Sequence, residues 1–223
     1  MSISADLIDL VLPRRCVGCG SVAGPLCSLC RPGAPVIEAS PGTWAAAPYD
    51  GPIRAALLAY KERGRRDLAG PLGELVARAT RMAAGSGRAP PDRIVLVPVP
   101  SARSAAAARG GDHVLRLARH AAVATGLRVT RDGLVLTRSV RDSAGLDIRE
   151  RAANLGEAMA ARPPLPGYSA LVVDDIVTTG ATLREARRAL LAVGWPVVGA
   201  AVVAATPRRT REPTPLAAPR NTV

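Results

Sequence analysis

The chain has 223 residues, 48% hydrophobic and 22% charged, enough apolar material for one substantial domain and a small appendage. Aromatics are only 2% and Phe is absent, which argues against a single-strand nucleic-acid platform and calls for a core of Leu, Val, Ile and Ala. Lys and Arg total 30 against 18 Asp and Glu, a net charge of +12 that favours polyanionic partners or marks an Arg-rich solvated surface, and no apolar run reaches the roughly 18 residues of a membrane helix.

At the N-terminus, "MSISADLIDLVLPRR" carries its charge after the apolar stretch, unlike a secretory signal. Leu7, Ile8, Val11 and Leu12 fall near helical spacing after Ser4, a candidate N-cap, so a short docking helix ended by Pro13 is expected. Next come all four cysteines, in "CVGCGSVAGPLCSLC": Cys16, Cys19, Cys27 and Cys30, two C-x-x-C pairs separated by seven residues. Two such knuckles complete a tetrahedral thiolate site, with Gly18 and Gly20 giving the turns their freedom. Two disulfides and a redox dithiol are the alternatives; without a secretion signal the first is disfavoured, and the second needs only one pair. A closed four-sulfur zinc site folds its segment and performs no chemistry, and Arg14, Arg15 and Arg31 lie near enough in sequence to offset its charge.

After the Pro-rich joint "RPGAPVIEASPG", Ile53, Leu57 and Tyr60, then Leu68, Leu72, Leu75, Val76, Ala79 and Met82, keep close to a 3.6-residue period. Two helices follow from this, joined by the basic turn in "YKERGRRDLA". "DRIVLVPVP", residues 92–100, reads as a buried parallel strand; "SARSAAAARGG" is a loop, and a helix runs from about Asp112 to Thr125. Short strands are expected in "LRVTRDGLVLTR", and a polar flap in "RDSAGLDIRERAANLGEAM". "SALVVDDIV" is the strongest strand, followed by a helix in "TLREARRALLAVG" and a strand in "PVVGAAVVAAT". Residues 207–223, with four Pro and four Arg, read as a disordered tail. Alternating strands and helices imply an α/β domain with a parallel sheet, divided as residues 1–40 (helix and zinc knuckle), 41–206 (the main domain) and 207–223.

The stretch "VVDDIVTTGAT" concentrates the chemistry. Ligands of open α/β sheets bind at the carboxyl ends of strands, where Asp174 and Asp175 are expected. The loop behind them leads into a helix N-terminus, whose free N–H groups and positive dipole suit a phosphate. Thr178, Thr179 and Thr182 add hydroxyl donors, while Gly180 lets the backbone approach. Two carboxylates would repel that phosphate, so they require hydroxyls, a divalent cation or a sugar that becomes positive at its anomeric carbon. A ribose 5-phosphate unit satisfies both halves. The Gly-Lys-Ser/Thr ending of a Walker A loop is absent from the sequence.

This stretch resembles the phosphoribosyl diphosphate (PRPP) signature of type I phosphoribosyltransferases. With the Cys quartet, "YKERGRRDLA", "VPVP" before an Arg loop, "RGGDH" and "AGLDIRERAANL", the chain resembles the ComF family over roughly residues 5–206. The resemblance implies a type I phosphoribosyltransferase fold: a central, mainly parallel sheet flanked by helices, with a small N-terminal four-cysteine segment holding structural zinc. It implies that Asp174 and Asp175 contact the ribose hydroxyls and serve catalysis. It further implies that Thr178, Thr179, Gly180, Ala181 and Thr182 hold the 5-phosphate, and that Lys61, Arg103 and Arg109 face the pyrophosphate, which Mg²⁺ accompanies. Relatives commonly read "RGFNQ" where this chain has Gly111, Asp112 and His113, and often carry Gln where it has Ser143.

Two functions follow as expectations. One is Mg²⁺-dependent transfer of 5-phosphoribosyl from PRPP to an unidentified acceptor with release of pyrophosphate. The other is a non-catalytic PRPP- or nucleotide-binding accessory protein in DNA uptake (competence) or DNA processing, with DNA or a DNA-handling helicase as partner. A cytoplasmic location, no membrane contact and a homodimer belong to the same set of expectations.

Overall fold

The computed structural model describes residues 15–101, 111–137 and 158–207. The expected N-terminal helix, Arg14, Arg103, Arg109, Ser143, nearly all of the expected flap and the tail from residue 208 lie outside the described residues.

Six strands form one sheet: β1 (Ile37–Ser40), β2 (Thr43–Pro48), β3 (Ile94–Pro98), β4 (Arg128–Val129), β7 (Ser169–Val177) and β8 (Val197–Ala205), in the order β1-β2-β8-β7-β3-β4. Every pairing is parallel except β1 with β2. A small antiparallel pair, β5 (Leu134–Leu136) with β6 (Met159–Ala161), stands apart. The helices are α1 (Gly51–Glu62), α2 (Ala69–Ala84), α3 (His113–Thr125) and α4 (Ala181–Ala192). The mainly parallel, helix-flanked sheet expected from the alternating pattern is therefore present.

The central strands are buried on both faces, and their side chains alternate between two cores. Ile94 and Leu96 of β3 and Leu171 and Val173 of β7 join α1, α2 and α3 in one core. Val95 and Val97, with Ala170 and Val172, meet Leu183, Ala186 and Leu190 of α4 and Trp195 in the other. Each fully buried Leu stabilises by about 1.5–3 kcal/mol, so aliphatic side chains suffice without Phe. Trp195 satisfies its one polar atom by donating from Nε1 to the carbonyl of Arg162 at 2.8 Å.

The strands β1, β2 and β6 depart from expectation. The Pro-rich joint contains β1, and the adjoining "TWAAAP" is β2, registered against β8 from Thr43↔Ala200 to Pro48↔Ala205. Three consecutive alanines carry little strand propensity; pairing with β8 decides their conformation. Met82, counted in the helical period of α2, is 46% exposed.

Candidate functional site

β7 runs unbroken to Val177, the chain crosses three residues, and α4 starts at Ala181. Asp174 and Asp175 lie in the last half of the strand and are only 8% and 4% exposed. Adjacent strand residues point to opposite faces, and Asp175 projects to the face covered by α1 and α3. The loop itself is open: Thr178 is exposed, and Thr179, Gly180 and Thr182 are half-buried. Gly180 caps α4 at φ +75, a left-handed conformation that glycine adopts without penalty. No side chain of the cap residue bonds to the helix, so the first-turn N–H groups face outward apart from Ala181 N, which donates to Thr179 Oγ1 at 3.3 Å. Arg184 closes over the loop from one turn along, donating to the Thr179 carbonyl at 2.8 Å.

Asp175 is the hub of a buried polar cluster. Lys61 Nζ of α1 lies 2.7 Å from its Oδ2, and His113 Nε2 lies 2.9 Å from the same oxygen. Burial pushes the Asp175 carboxyl up, but the Lys61 charge and the His113 hydrogen bond outweigh it and hold the group below the usual carboxylate range. Asp174 goes the other way: burial first, and the Asp175 charge second, raise it well above its ordinary value. The pair is thus split into an ionised acid and one that favours its proton, although the backbone N–H of Asp175 donates to Asp174 Oδ1 at 2.8 Å. Burial also works against the Lys61 charge, and the Asp175 carboxylate reverses that, leaving Lys61 above its ordinary value.

The expected site residues Lys61, Asp174, Asp175 and Thr178–Thr182 are brought to one end of the sheet. Lys61 holds Asp175 there, whereas the resemblance directs it to the pyrophosphate. Ser101, just after β3, and Asp112 and His113, at the start of α3, join the cluster: Ser101 Oγ is 2.9 Å from His113 Nδ1, and Ser101 N donates to Asp112 Oδ2 at 2.8 Å. The family comparison marks 112 and 113 as departures, but no pattern along the chain connects His113 with Asp175, 62 residues away.

A groove of about 880 Å³ opens on the opposite, α4, face of the sheet, running from Thr178 and Gly180 past Arg184 and Arg187 to Arg88 and Glu38. Neither aspartate lines it. The buried polar cluster thus lies at the strand end, with the loop before α4 as the groove's near wall.

The four cysteines form a second site. All are unpaired, and their Sγ atoms lie within 4.8 Å of one another. Cys19 and Cys27 are 3.6 Å apart, close to the ~3.8 Å edge of a tetrahedron with metal–sulfur bonds of about 2.3 Å. Burial raises Cys16, but N–H groups of Cys27, Cys19 and Gly18 outweigh it and lower the thiol to about 6. Cys30 is pushed up to about 12 by burial and by its thiol neighbours. Four thiolates without a cation oppose one another, so the donor set fits a structural zinc ion and no open position remains for chemistry. A Cβ on Gly18 would stand 2.8 Å from Cys30 Sγ and from Pro52 Cβ, so glycine is required where the knuckle packs on α1. Arg65 reaches across to donate to the Arg15 carbonyl at 3.3 Å, and Cys16, Leu26 and Cys27 are buried in the core beneath α1 and α2.

Comparison with known proteins bears on the strand-end site. A phosphoribosyl transferase domain matches residues 117–217, which include β7, the glycine-capped loop and α4. Two proteins named DNA utilization protein YhgH, from Salmonella typhi and Salmonella typhimurium, are each 31% identical over 147 residues. That stretch is 66% of this chain and 64% of each relative, so the chain spans just under two thirds of the length of those curated relatives. The domain match over β7 and α4, this likeness and the four-cysteine cluster together make the chain ComF-like, with a phosphoribosyl transferase-type domain in its C-terminal half.

Proposed function

We propose that the protein binds PRPP at the end of β7 and transfers its 5-phosphoribosyl group to an acceptor, releasing pyrophosphate. One observation carries this reading: the buried acidic pair lies seven and six residues before Ala181, where α4 begins without a side-chain cap, so a single strand-loop-helix unit offers an acidic floor and an anion cradle. Asp174 and Asp175 receive the ribose hydroxyls, and Thr178 to Thr182 with the first N–H groups of α4 receive the 5-phosphate. An acceptor nucleophile bonds to the anomeric carbon as the bond to pyrophosphate breaks, and the leaving group carries away the bonding electrons. The ionised Asp175 opposes the positive charge that builds on the sugar. Lys61 already sets a cation 2.7 Å from this carboxylate, which supports a place there for positive charge; on ligand arrival its ammonium turns to the diphosphate. Mg²⁺ accompanies the diphosphate and supplies neutralisation of its charge. The cysteine cluster holds zinc as a structural ion.

A second reading, a PRPP- or nucleotide-binding accessory protein in DNA uptake or processing, draws support from the name of the relatives and from the +12 charge. Pyrophosphate release separates the two. PRPP with Mg²⁺ is offered alone and with a panel of bases and nucleotides, while calorimetry follows binding. Saturable heat with release supports transfer; heat without release under any condition supports the accessory role. No heat, or full affinity in Asp174→Asn/Asp175→Asn, overturns the site. Metal analysis is expected to find one zinc per chain, lost together with stability in Cys16→Ser.

A further inference from the structure

The roles implied by the resemblance do not include His113. Its side chain is 8% exposed and both ring nitrogens are engaged. Nε2 is 2.9 Å from Asp175 Oδ2, and Nδ1 is 2.9 Å from Ser101 Oγ. Tyr60 of α1 packs edge-on at 6.2 Å and donates its hydroxyl to the His113 carbonyl at 3.0 Å. Ser101 is anchored in turn, its backbone N–H on Asp112 Oδ2 and its hydroxyl 3.3 Å from Oδ1. An unbroken polar chain therefore runs from the cap of α3 through Ser101 and His113 to Asp175, where Lys61 meets it from α1.

Counting hydrogens fixes what this chain does. Asp175 is held ionised, so Nε2 must carry a hydrogen; a bare lone pair would face a carboxylate. A serine hydroxyl has one hydrogen. Directed at Nδ1, it leaves the imidazole neutral; directed at Asp112, it leaves Nδ1 to donate and the ring charged. In either state Nε2–H points at Asp175, and the contact does not depend on the protonation of the ring. Lys61 differs, with a side chain 30% exposed on a flexible stem.

We propose that His113 is the positioning residue for the sugar-binding carboxylate. Gripped at Oδ2 by a ring that Ser101 and Asp112 orient, Asp175 keeps one orientation when Lys61 leaves for the diphosphate, and presents Oδ1 to a ribose hydroxyl. Ser101 and Asp112 are thereby tied to the sugar site through one imidazole. This inference rests on the PRPP reading above.

The test is calorimetric titration of the full chain with PRPP and Mg²⁺, beside thermal melts. His113→Leu removes the donor and is expected to weaken PRPP binding about tenfold or more, the loss of a hydrogen bond to a charged group. His113→Gln restores an N–H donor and is expected within about threefold of wild type. A role in packing alone predicts the reverse, since Leu fills the buried site with an apolar side chain. Wild-type affinity in His113→Leu, or a Gln variant as weak as the Leu variant, overturns the inference and leaves the PRPP reading standing. A wild-type protein that gives no heat overturns that reading and this one with it. Should His113→Leu fail to fold, Ser101→Ala probes the chain from its other end: a several-fold loss supports the relay, and no loss overturns it.

Discussion

The helices α3 and α4 both follow parallel strands, and each begins at the sheet's carboxyl end, yet their N-termini are finished in opposite ways. At α3 the cap is Asp112, whose Oδ1 accepts from Val114 N at 2.9 Å and Leu115 N at 3.1 Å. At α4 the cap is Gly180, with no side chain to offer. Both ends carry the same positive dipole and the same orphan donors. At α3 the protein supplies its own anion; at α4 it withholds one. On the proposed reading the difference marks where a foreign anion fits: a phosphate competing with Asp112 meets a filled cradle and a negative charge, whereas at Gly180 it meets a helix end with no acid and the hydroxyls of three threonines.

The strongest way to break this contrast is to give α4 a carboxylate of its own. Thr179→Asp sets an acid beside the cap, where Thr179 Oγ1 already accepts from Ala181 N. PRPP affinity is expected to fall about a hundredfold or more, near 3 kcal/mol for displaced charge-assisted bonds and added repulsion. Melting temperature should hold or rise slightly, because the acid favours the helix end. Binding that survives this change would remove the phosphate from the loop.

Asp174 and Asp175 sharpen the contrast through pH. A carboxyl raised in the folded state contributes stability that is present below its unfolded value and lost as pH rises through the folded one; Asp174 is such a group. Asp175, held low, contributes stability above the unfolded value and loses it as pH falls through the folded one. At neutral pH, Asp174→Asn is therefore expected to melt higher than wild type and Asp175→Asn lower, while both lose PRPP affinity. Melts at pH 7 decide between this and equal destabilisation, which would contradict the division of roles.

Much of the fold was legible wherever local pattern and tertiary position agree. "SALVVDDIV" matches β7 residue for residue, because a strand buried on both faces must be continuously apolar until function interrupts it. β2 and β6 were not legible: "TWAAAP" and "MAA" are alanine-rich, and the strands beside them set their conformation. The loop half of the candidate site could be read because strand, acids, threonines and glycine are contiguous. Lys61 was recognisable as a cation, but its partner was not, and the Ser101–His113–Asp175 chain joins three segments that only the folded sheet brings together. Arg103 and Arg109, expected at the pyrophosphate, lie outside the described residues.

Removing the anion from α3 gives a smaller effect. Asp112→Ala strips the cap and the anchor of Ser101, and is expected to cost about 1–2 kcal/mol, seen as a melting point lower by about 2–6 °C. Asp112→Asn keeps a capping oxygen and should recover most of that loss, separating the hydrogen bond from the charge.

The smallest effect belongs to the glycine that keeps α4 open. At φ +75 an alanine pays about 1 kcal/mol for its Cβ. Crowding adds little, since that Cβ would meet Arg184 Nη1 at 3.3 Å and the guanidinium sits at the end of a flexible side chain. Strain alone would lower the melting point of Gly180→Ala by a few degrees and leave the ligand unaffected. If glycine is there so that phosphate can approach the backbone, PRPP affinity falls as well, because the methyl group and a displaced Arg184 both stand over the loop. Measuring melt and titration on this one variant distinguishes a glycine that merely starts a helix from one that leaves room for an anion.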